Sequence, residues 1–128
     1  MIDQLRTLIN FHAFTTNQQA VKELLDHVAD QLTLHGLHVE RLLHNGIYSL
    51  YASTTGKRHA KVMLQSHVDV VPGGDDFHQD GDVVYGRGCY DMLFAVASFL
   101  TLVGELDDPS QYDISLLLTG DEETGGFN

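Results

Sequence analysis

The chain contains three short clusters of residue types that bind metal ions and transfer protons. They are His67-Val68-Asp69, the segment at 86–91, and the acidic run Asp121-Glu122-Glu123. Imidazole and carboxylate groups are ligands of divalent metals such as zinc. A carboxylate beside such a metal can also accept a proton from water. These are the residue types that metal-assisted chemistry uses, although each cluster also allows a purely structural interpretation.

The first cluster has the geometry to hold a metal-binding histidine. In an extended segment, residues two apart point to the same side, so Asp69 can accept a hydrogen bond from the His67 ring. Such a bond would fix the tautomer and leave the second ring nitrogen to bind a metal. The alternative is a hydrogen-bonded structural histidine at a strand end, and a pattern this short is on its own more typical of that alternative.

The second and third clusters each allow a structural and a catalytic interpretation. Asp91 follows two glycines at the predicted start of a helix, where it is either an N-cap or a carboxylate that faces two cations. The acidic run follows an apolar segment and is either an exposed turn or a site in which adjacent glutamates have different roles. In the second case one of Glu122 and Glu123 binds a metal, and the other takes a proton from activated water.

The formal net charge of −11 is concentrated in the second half of the chain. Residues 1–64 contain six basic and five acidic residues, whereas residues 65–128 contain one basic and thirteen acidic residues. We expect no nucleic acid partner, because its phosphates would be repelled. The acidic half is either a solvated surface or a cation site on which carboxylates converge.

The remaining composition is that of one cytoplasmic domain. The chain has 128 residues, of which 43% are hydrophobic, and a single cysteine, Cys89, which excludes an internal disulfide. No apolar run reaches the length needed to span a bilayer. We therefore expect a cytoplasmic location and no membrane partner.

The hydrophobic pattern predicts helices and strands that alternate along the chain. Predicted helices cover residues 2–9, residues 16–36 with a Thr16–Gln19 capping box and a stop at Gly36, and residues 92–106 with Asp91 near the N-cap. Predicted strands cover residues 37–43 and 47–53, joined by an Asn45-Gly46 turn, and residues 60–66, 83–85 and 114–119, with a loop at 72–82. The alternation predicts a layered α/β domain with a mixed sheet, and the polar clusters fall where strands or loops end.

The three clusters lie in segments that resemble a known family of metallopeptidases. The segments are HVDVVP (67–72), DGDVVYGRGCYDM (80–92) and LLLTGDEETGG (116–126). In this order they resemble the family of acetylornithine deacetylase, succinyl-diaminopimelate desuccinylase, aminoacylase and glutamate carboxypeptidase, and the likeness covers essentially the whole chain. It implies a layered α/β/α zinc-peptidase-like catalytic domain with a mixed sheet. It also implies a hydrolase that cleaves an amide bond in a small peptide or N-acyl amino acid, using two zinc ions that cobalt or manganese could replace.

The resemblance also implies a role for each polar residue of the clusters. His67 would bind one zinc ion, Glu123 would bind the other, and Asp91 would bridge the two. Glu122 would be the general base and would later protonate the leaving amine. Asp69 would orient the His67 ring.

The sequence departs from the family pattern beside Asp91. Relatives usually have a lysine and then small residues after the Asp-Met pair, whereas Leu93 and Phe94 stand here. We expect these side chains to change the packing near the site and to leave the ligand set intact. The resemblance also implies a cis Asp91-Met92 peptide bond, and we expect Cys89 to be a small packing residue.

Residues 1–128 are expected to be the N-terminal part of a catalytic domain. The resemblance implies further ligands, an acidic residue and a histidine, from later positions, together with a second domain for dimerisation and substrate binding. We therefore expect a truncated domain that turns over little substrate alone and that can self-associate through an uncovered sheet face. The alternative is a non-catalytic metal-binding or interaction module that retains the fold. Glu122 argues for catalysis, because a pure binding site needs no general base.

Overall fold

The computed structural model describes residues 1–126, which form helices, a main sheet and a small hairpin. The helices are α1 (Ile2–Ile9), α2 (Gln18–Leu34) and α3 (Leu93–Gly104). The strands are β1 (His38–His44), β2 (Ile47–Ser53), β3 (Val62–His67), β4 (His78–Asp80), β5 (Val83–Tyr85) and β6 (Ile114–Thr119). Short 3₁₀ turns cover Pro109–Gln111 and Glu122–Thr124. Every predicted helix and strand is present, with ends that differ by a few residues.

The N-cap of helix α2 lies one residue later than predicted. Asn17 is its N-cap, and the Asn17 side chain accepts a hydrogen bond from the amide of Ala20 at 3.3 Å. The predicted capping box from Thr16 is therefore wrong, because the Asn17 side chain already satisfies a free amide of the first turn. The end of the helix is confirmed, since Gly36 takes the left-handed backbone with a φ of 83°.

The main sheet is mixed, as predicted, with the strand order β1-β2-β6-β3. Strands β1 and β2 form the predicted hairpin, and Asn45 and Gly46 both have the positive φ that its two-residue turn requires. Strand β6 pairs antiparallel with β2 and parallel with β3. Strands β4 and β5 form a separate hairpin. The predicted loop at 72–82 is therefore wrong for β4, which is short, polar and exposed and so has no hydrophobic pattern.

One face of the main sheet carries the core. The register places Leu50 and Ala52 of β2 on the same face as Leu116 and Leu118 of β6. All four are buried in a single cluster with side chains from α1, α2 and α3. Full burial of a leucine side chain stabilises the fold by about 1.5–3 kcal/mol, so this cluster holds the helices on the sheet. None of the helices in the described residues is long and apolar enough to cross a membrane.

The opposite face of the sheet is only partly covered within residues 1–126. Tyr51 and Leu117 are partners in the register on that face, and Met63 of β3 is 59% exposed. Together with Leu42 they line a shallow groove. The helical layer that the resemblance implies on this side is not supplied by α1–α3, which share the cluster on the first face.

The parallel pair of β3 and β6 brings two of the polar clusters to one edge of the sheet. Strand β3 ends at His67 and β6 ends at Thr119, and these residues are partners in the register. The segments that follow the two strands therefore leave the sheet side by side. The second cluster joins them at Asp91, just before α3, which packs against β3 and α1.

Candidate metal centre

His67 is buried at the end of β3 with its ring fixed by the main chain. Its Nδ1 lies 2.9 Å from the backbone oxygen of Asp69, and its exposed fraction is 3%. The Asp69 carboxylate is farther away, with Oδ1 at 3.5 Å from Nδ1. The predicted contact between residues 67 and 69 is therefore present, but its shorter bond uses the main-chain oxygen of Asp69. This bond leaves Nε2 of His67 directed at the other acidic groups.

Asp91 faces the His67 ring from the start of α3. Its Oδ1 lies 3.2 Å from Nε2 of His67. The N-cap of α3 is Met92, and no side-chain capping bond is made there, so the N-cap interpretation of Asp91 is wrong. The Asp91-Met92 peptide bond is cis, as the resemblance implied. The Asp91 side chain is 67% exposed, which leaves its second oxygen accessible to a ligand.

The two glutamates lie on the 3₁₀ turn that follows β6. Glu122 places Oε2 at 3.5 Å from Nε2 of His67 and remains 55% exposed. A carboxylate oxygen of Glu123 lies within 4.8 Å of a ligand atom of His67 and of Asp91, and those two also lie within this distance of each other. Among residues 1–126, this trio is the one group of three or more histidine, cysteine or acidic residues close enough to hold an ion.

The chemistry of these donors fits a divalent metal. One imidazole nitrogen and two carboxylates form the nitrogen and oxygen ligand set that zinc takes in hydrolytic sites. Burial raises the pKa of Glu123, and the negative charge of Asp91 raises it further. Converging carboxylates of this kind repel one another unless a cation lies between them.

The His67 ring shows how strongly this pocket favours positive charge. Burial acts to lower the pKa of His67, but the hydrogen bonds and charge of Asp69, together with the charge of Glu122, raise it to about 9. Without a metal, the ring therefore carries a proton at neutral pH. A metal bound at Nε2 would replace that proton, so the same negative surroundings would support the metal.

Asp69 has contacts that the sequence did not predict. It is fully buried, and it accepts hydrogen bonds from the Thr15 hydroxyl at 2.8 Å, from the Glu122 amide at 3.1 Å and from the Glu123 amide at 3.2 Å. Burial acts to raise the pKa of Asp69, but hydrogen bonds, first from His67 and then from Thr15 and the two amides, hold it below its usual value. No local pattern marks Thr15, because its partner is 54 positions away.

Packing around Gly88 positions the start of α3. A Cβ at residue 88 would lie 2.8 Å from Cδ1 of the buried Leu93 and 3.1 Å from Cγ1 of Val70. Phe94 stays partly exposed, and its ring stacks on Tyr90 with centroids 6.4 Å apart. Both departures from the family pattern therefore affect packing, and neither side chain belongs to the donor trio.

Cys89 lies beside this helix start and is partly buried. Burial raises the pKa of its thiol, which favours the unreactive protonated form. Its side chain packs against the core cluster and is not one of the three donors. These contacts agree with the packing role expected from its size.

The sequence matches the profile described as peptidase family M20/M25/M40 over residues 63–128. The chain belongs to this family. The matched stretch contains all three polar clusters, and it accounts for just over half of the 128 residues. All three residues of the donor trio lie within the stretch that matches this peptidase family.

Relatives in the family include succinyl-diaminopimelate desuccinylases from two bacteria. The protein from Rickettsia canadensis is 35% identical over 95% of this chain, and the aligned part is 35% of that relative. The protein from Xanthobacter autotrophicus is 38% identical over 79% of this chain and 30% of that relative. The chain thus spans about a third of the length of the relatives that it matches.

Solved structures show the same fold at low sequence identity. An M20 family metallo-carboxypeptidase, Sso-CP2 from Sulfolobus solfataricus, superposes with a TM-score of 0.74 and 21% identity, covering 100% of this chain and 33% of that one. Human carnosine dipeptidase 1 gives a TM-score of 0.68 and 20% identity, covering 98% of this chain and 33% of that one. These matches confirm the α/β class with a mixed sheet.

Proposed function

We propose that this chain supplies the first part of the active site of a zinc-dependent hydrolase that cleaves an amide bond. The observation that carries the proposal is the convergence of His67, Asp91 and Glu123 within 4.8 Å of one another, with the Glu122 carboxylate 3.5 Å from the His67 ring. Family membership supports it, because the three clusters lie within the matched stretch.

The donor trio has the residue types to hold two zinc ions. His67 would bind one ion through Nε2, Glu123 would bind the other, and Asp91, with two oxygens, would bridge them. The bound metals would polarise the scissile carbonyl and make water more acidic. The described residues bring three donors together. We propose that the remaining ligands, an acidic residue and a histidine by resemblance to the family, come from other parts of the protein.

Glu122 is placed to transfer protons during the reaction. Its carboxylate lies beside the trio but is 55% exposed, so it can face both the site and incoming water. Glu122 would take a proton from the attacking water and then give it to the leaving amine. His67 and Asp69 would keep their positions during both steps, because both are buried and hydrogen-bonded.

The substrate class that we propose is an N-acyl amino acid or a short peptide. The relatives at 35% and 38% identity are desuccinylases, which favours an acylated amino acid as the first class to examine. A small substrate also suits a chain with a formal net charge of −11, which disfavours polyanions.

The test is hydrolysis by the complete protein loaded with zinc, cobalt or manganese. We expect amine release from at least one member of a panel of N-succinyl and N-acetyl amino acids and dipeptides. Chelation should abolish it, and added zinc should restore it. A protein that binds the metals and hydrolyses no member of the panel would contradict the proposal.

A further inference from the structure

The main-chain amides of both glutamates in the proposed site are hydrogen-bonded to one carboxylate, that of Asp69. Oδ1 of Asp69 accepts the Glu122 amide at 3.1 Å, and Oδ2 accepts the Glu123 amide at 3.2 Å. Two consecutive amides bound to the two oxygens of one planar group fix the peptide unit between them. The directions in which the Glu122 and Glu123 side chains leave the turn therefore depend on the plane of the Asp69 carboxylate.

That plane is not fixed by the aspartate itself. The terminal torsion of an aspartate side chain is broad, so its carboxylate rotates unless other contacts hold it. The Thr15 hydroxyl donates to Oδ2 at 2.8 Å, the shortest of the three bonds that this carboxylate accepts from Thr15 and the two amides. A hydroxyl has one proton to donate, and the other acceptor near Thr15, the backbone oxygen of Val70, is farther away at 3.4 Å.

Thr15 is itself held firmly between α1 and α2. Its amide donates to the backbone oxygen of Val70 at 3.1 Å, while the Val70 amide donates to the backbone oxygen of Ala13 at 3.0 Å. The side-chain amide of Gln18 donates hydrogen bonds from Nε2 to the backbone oxygen of Thr15 at 3.1 Å and to that of Gly120 at 2.9 Å. The segment before α2 is thereby connected both to the end of β3 and to the end of β6.

We propose that Thr15 is a positioning residue that aligns Glu122 and Glu123 by fixing the Asp69 carboxylate. The proposal rests on the proposed hydrolase function, because it assigns those glutamates to proton transfer and metal binding. Thr15 is not one of the three donors, and its hydroxyl bonds Asp69, which lies outside the donor trio. Its effect passes through a fully buried carboxylate that has no solvent to replace a lost hydrogen bond.

Replacement of the hydroxyl by a methyl group tests this role. In the complete metal-loaded protein, Thr15→Val should lower kcat about tenfold, near the lower end of the 10–100-fold effects seen for outer partners of metal sites. The KM should stay within about threefold, because no substrate contact is lost. The affinity for Co²⁺, measured by titration of its visible absorption, should also fall about tenfold, because Glu123 is misaligned.

Two further variants separate positioning from stability. Thr15→Ser keeps the hydroxyl and should restore kcat and Co²⁺ affinity to within about threefold of the wild type. Thr54→Val removes a comparable buried hydroxyl, which bonds the backbone oxygen of Tyr112 at 2.6 Å near the opposite end of β6. It should lower stability and leave both kcat and Co²⁺ affinity unchanged.

The outcomes distinguish this proposal from the proposed function. If the wild type is active and Thr15→Val behaves like Thr54→Val in kcat and in Co²⁺ affinity, the positioning role is overturned. If the wild type binds Co²⁺ but hydrolyses nothing, the hydrolase proposal fails, and the loss of Co²⁺ affinity in Thr15→Val still supports positioning.

A measurement on the wild-type protein covers the case in which Thr15→Val does not fold. Amide hydrogen exchange at residues 122 and 123 should be slowed at least about 100-fold relative to an open peptide, although both residues lie outside the sheet. Thr15→Ser should preserve that protection. Exchange at the rate of an open peptide at both residues would overturn the proposal.

Discussion

At the scale of single residues, the proposed function assigns metal binding and proton transfer to two adjacent glutamates. Glu123 lies in the donor trio with His67 and Asp91, whereas Glu122 lies at its side and is more exposed. Both residues lie on one 3₁₀ turn, so their side chains leave the main chain in different directions although they are adjacent in sequence. Substitutions at these neighbouring positions should therefore produce different defects.

Replacement of Glu122 by glutamine should remove proton transfer and leave metal binding intact. The amide has the shape of the carboxylate but cannot accept the proton, so we expect kcat to fall by about 10²–10⁴ with little change in KM. Zinc content, measured by atomic absorption, should equal that of the wild type. Glu123→Gln should instead lower zinc affinity, and Glu105→Gln, at the exposed end of α3, serves as the control. Equal activity of Glu122→Gln and the wild type would exclude the role of base.

Part of the site could be predicted from the sequence because its residues follow regular elements. His67 and the acidic run end two apolar strands, and parallel strands bring such ends together. The Thr15 contact could not be predicted, because it joins residues 54 positions apart and depends on the packed fold. The use of the Asp69 main-chain oxygen was likewise beyond the sequence, since the side chain was the expected partner.

At the scale of elements, the approach of α3 to the end of β3 depends on the missing side chain of Gly88. An added Cβ would lie 2.8 Å from Leu93 Cδ1, and the φ of +88° is unfavourable for any other residue. Gly88→Ala should therefore destabilise the protein by about 2–4 kcal/mol, since the left-handed backbone alone costs about 1–2 kcal/mol. Urea unfolding measures this difference.

Gly81→Ala is the matched control for Gly88→Ala. Gly81 also has a positive φ, of 58°, but no atom lies within 4 Å of an added Cβ. We expect it to cost only about 1–2 kcal/mol, the backbone part of the effect. Equal losses at the two positions would show that the Leu93 contact does not limit the approach of α3.

A second element contact, between α2 and the β1–β2 hairpin, should depend on pH. Asp26 binds Lys22 at 2.5 Å and Arg41 at 2.7 Å, and these bonds hold the pKa of Asp26 below its ordinary 3.8. A lowered carboxyl pKa stabilises the fold above the unfolded value, and this stabilisation is lost as the pH falls through the folded value. The side chain is 34% exposed, so solvent reduces the contribution to about 0.5–1 kcal/mol.

Asp26→Asn should therefore destabilise the protein near neutral pH and have little effect in acid. Thermal unfolding at about pH 7 and at about pH 2.5 measures the difference between wild type and variant, which should shrink at the lower pH. Asp3→Asn is the control, because the Asp3 side chain is 93% exposed in its pair with Arg6. A difference for Asp26→Asn that is the same at both pH values would contradict the account.

Element ends were harder to predict than the elements themselves. Thr16 had a plausible capping pattern, yet the neighbouring Asn17 makes the capping bond. Both residue types can cap a helix, so the position of the cap depends on the backbone conformation, which the sequence pattern does not show. Strand β4 was missed, because its three exposed residues carry no apolar signal and are ordered through pairing with β5. The apolar segments β6 and α3 could be predicted, because their buried positions are occupied by hydrophobic residues that form a recognisable pattern.

At the scale of the whole molecule, the two faces of the sheet are unequal within residues 1–126. One face carries the core cluster with all three helices, and the other exposes part of Met63, Tyr51 and Leu117. Strand β3 is also an edge of the sheet, with Val62 50% exposed. Exposed edge strands beside an apolar face are prone to pair with other chains.

Residues 1–128 produced alone should therefore self-associate through this face. Sedimentation velocity should show an average mass that rises with concentration, and Met63→Lys should shift the distribution toward the monomer by placing a charge on the face. Leu34→Lys is the matched control, because Leu34 is also an exposed hydrophobic residue but is the last residue of α2 and does not belong to the sheet. If association depends on this face, only the first substitution should reduce it. A monomer at every concentration, or equal effects of the two variants, would show that the groove lined by Leu42, Tyr51, Met63 and Leu117 does not act as an interface.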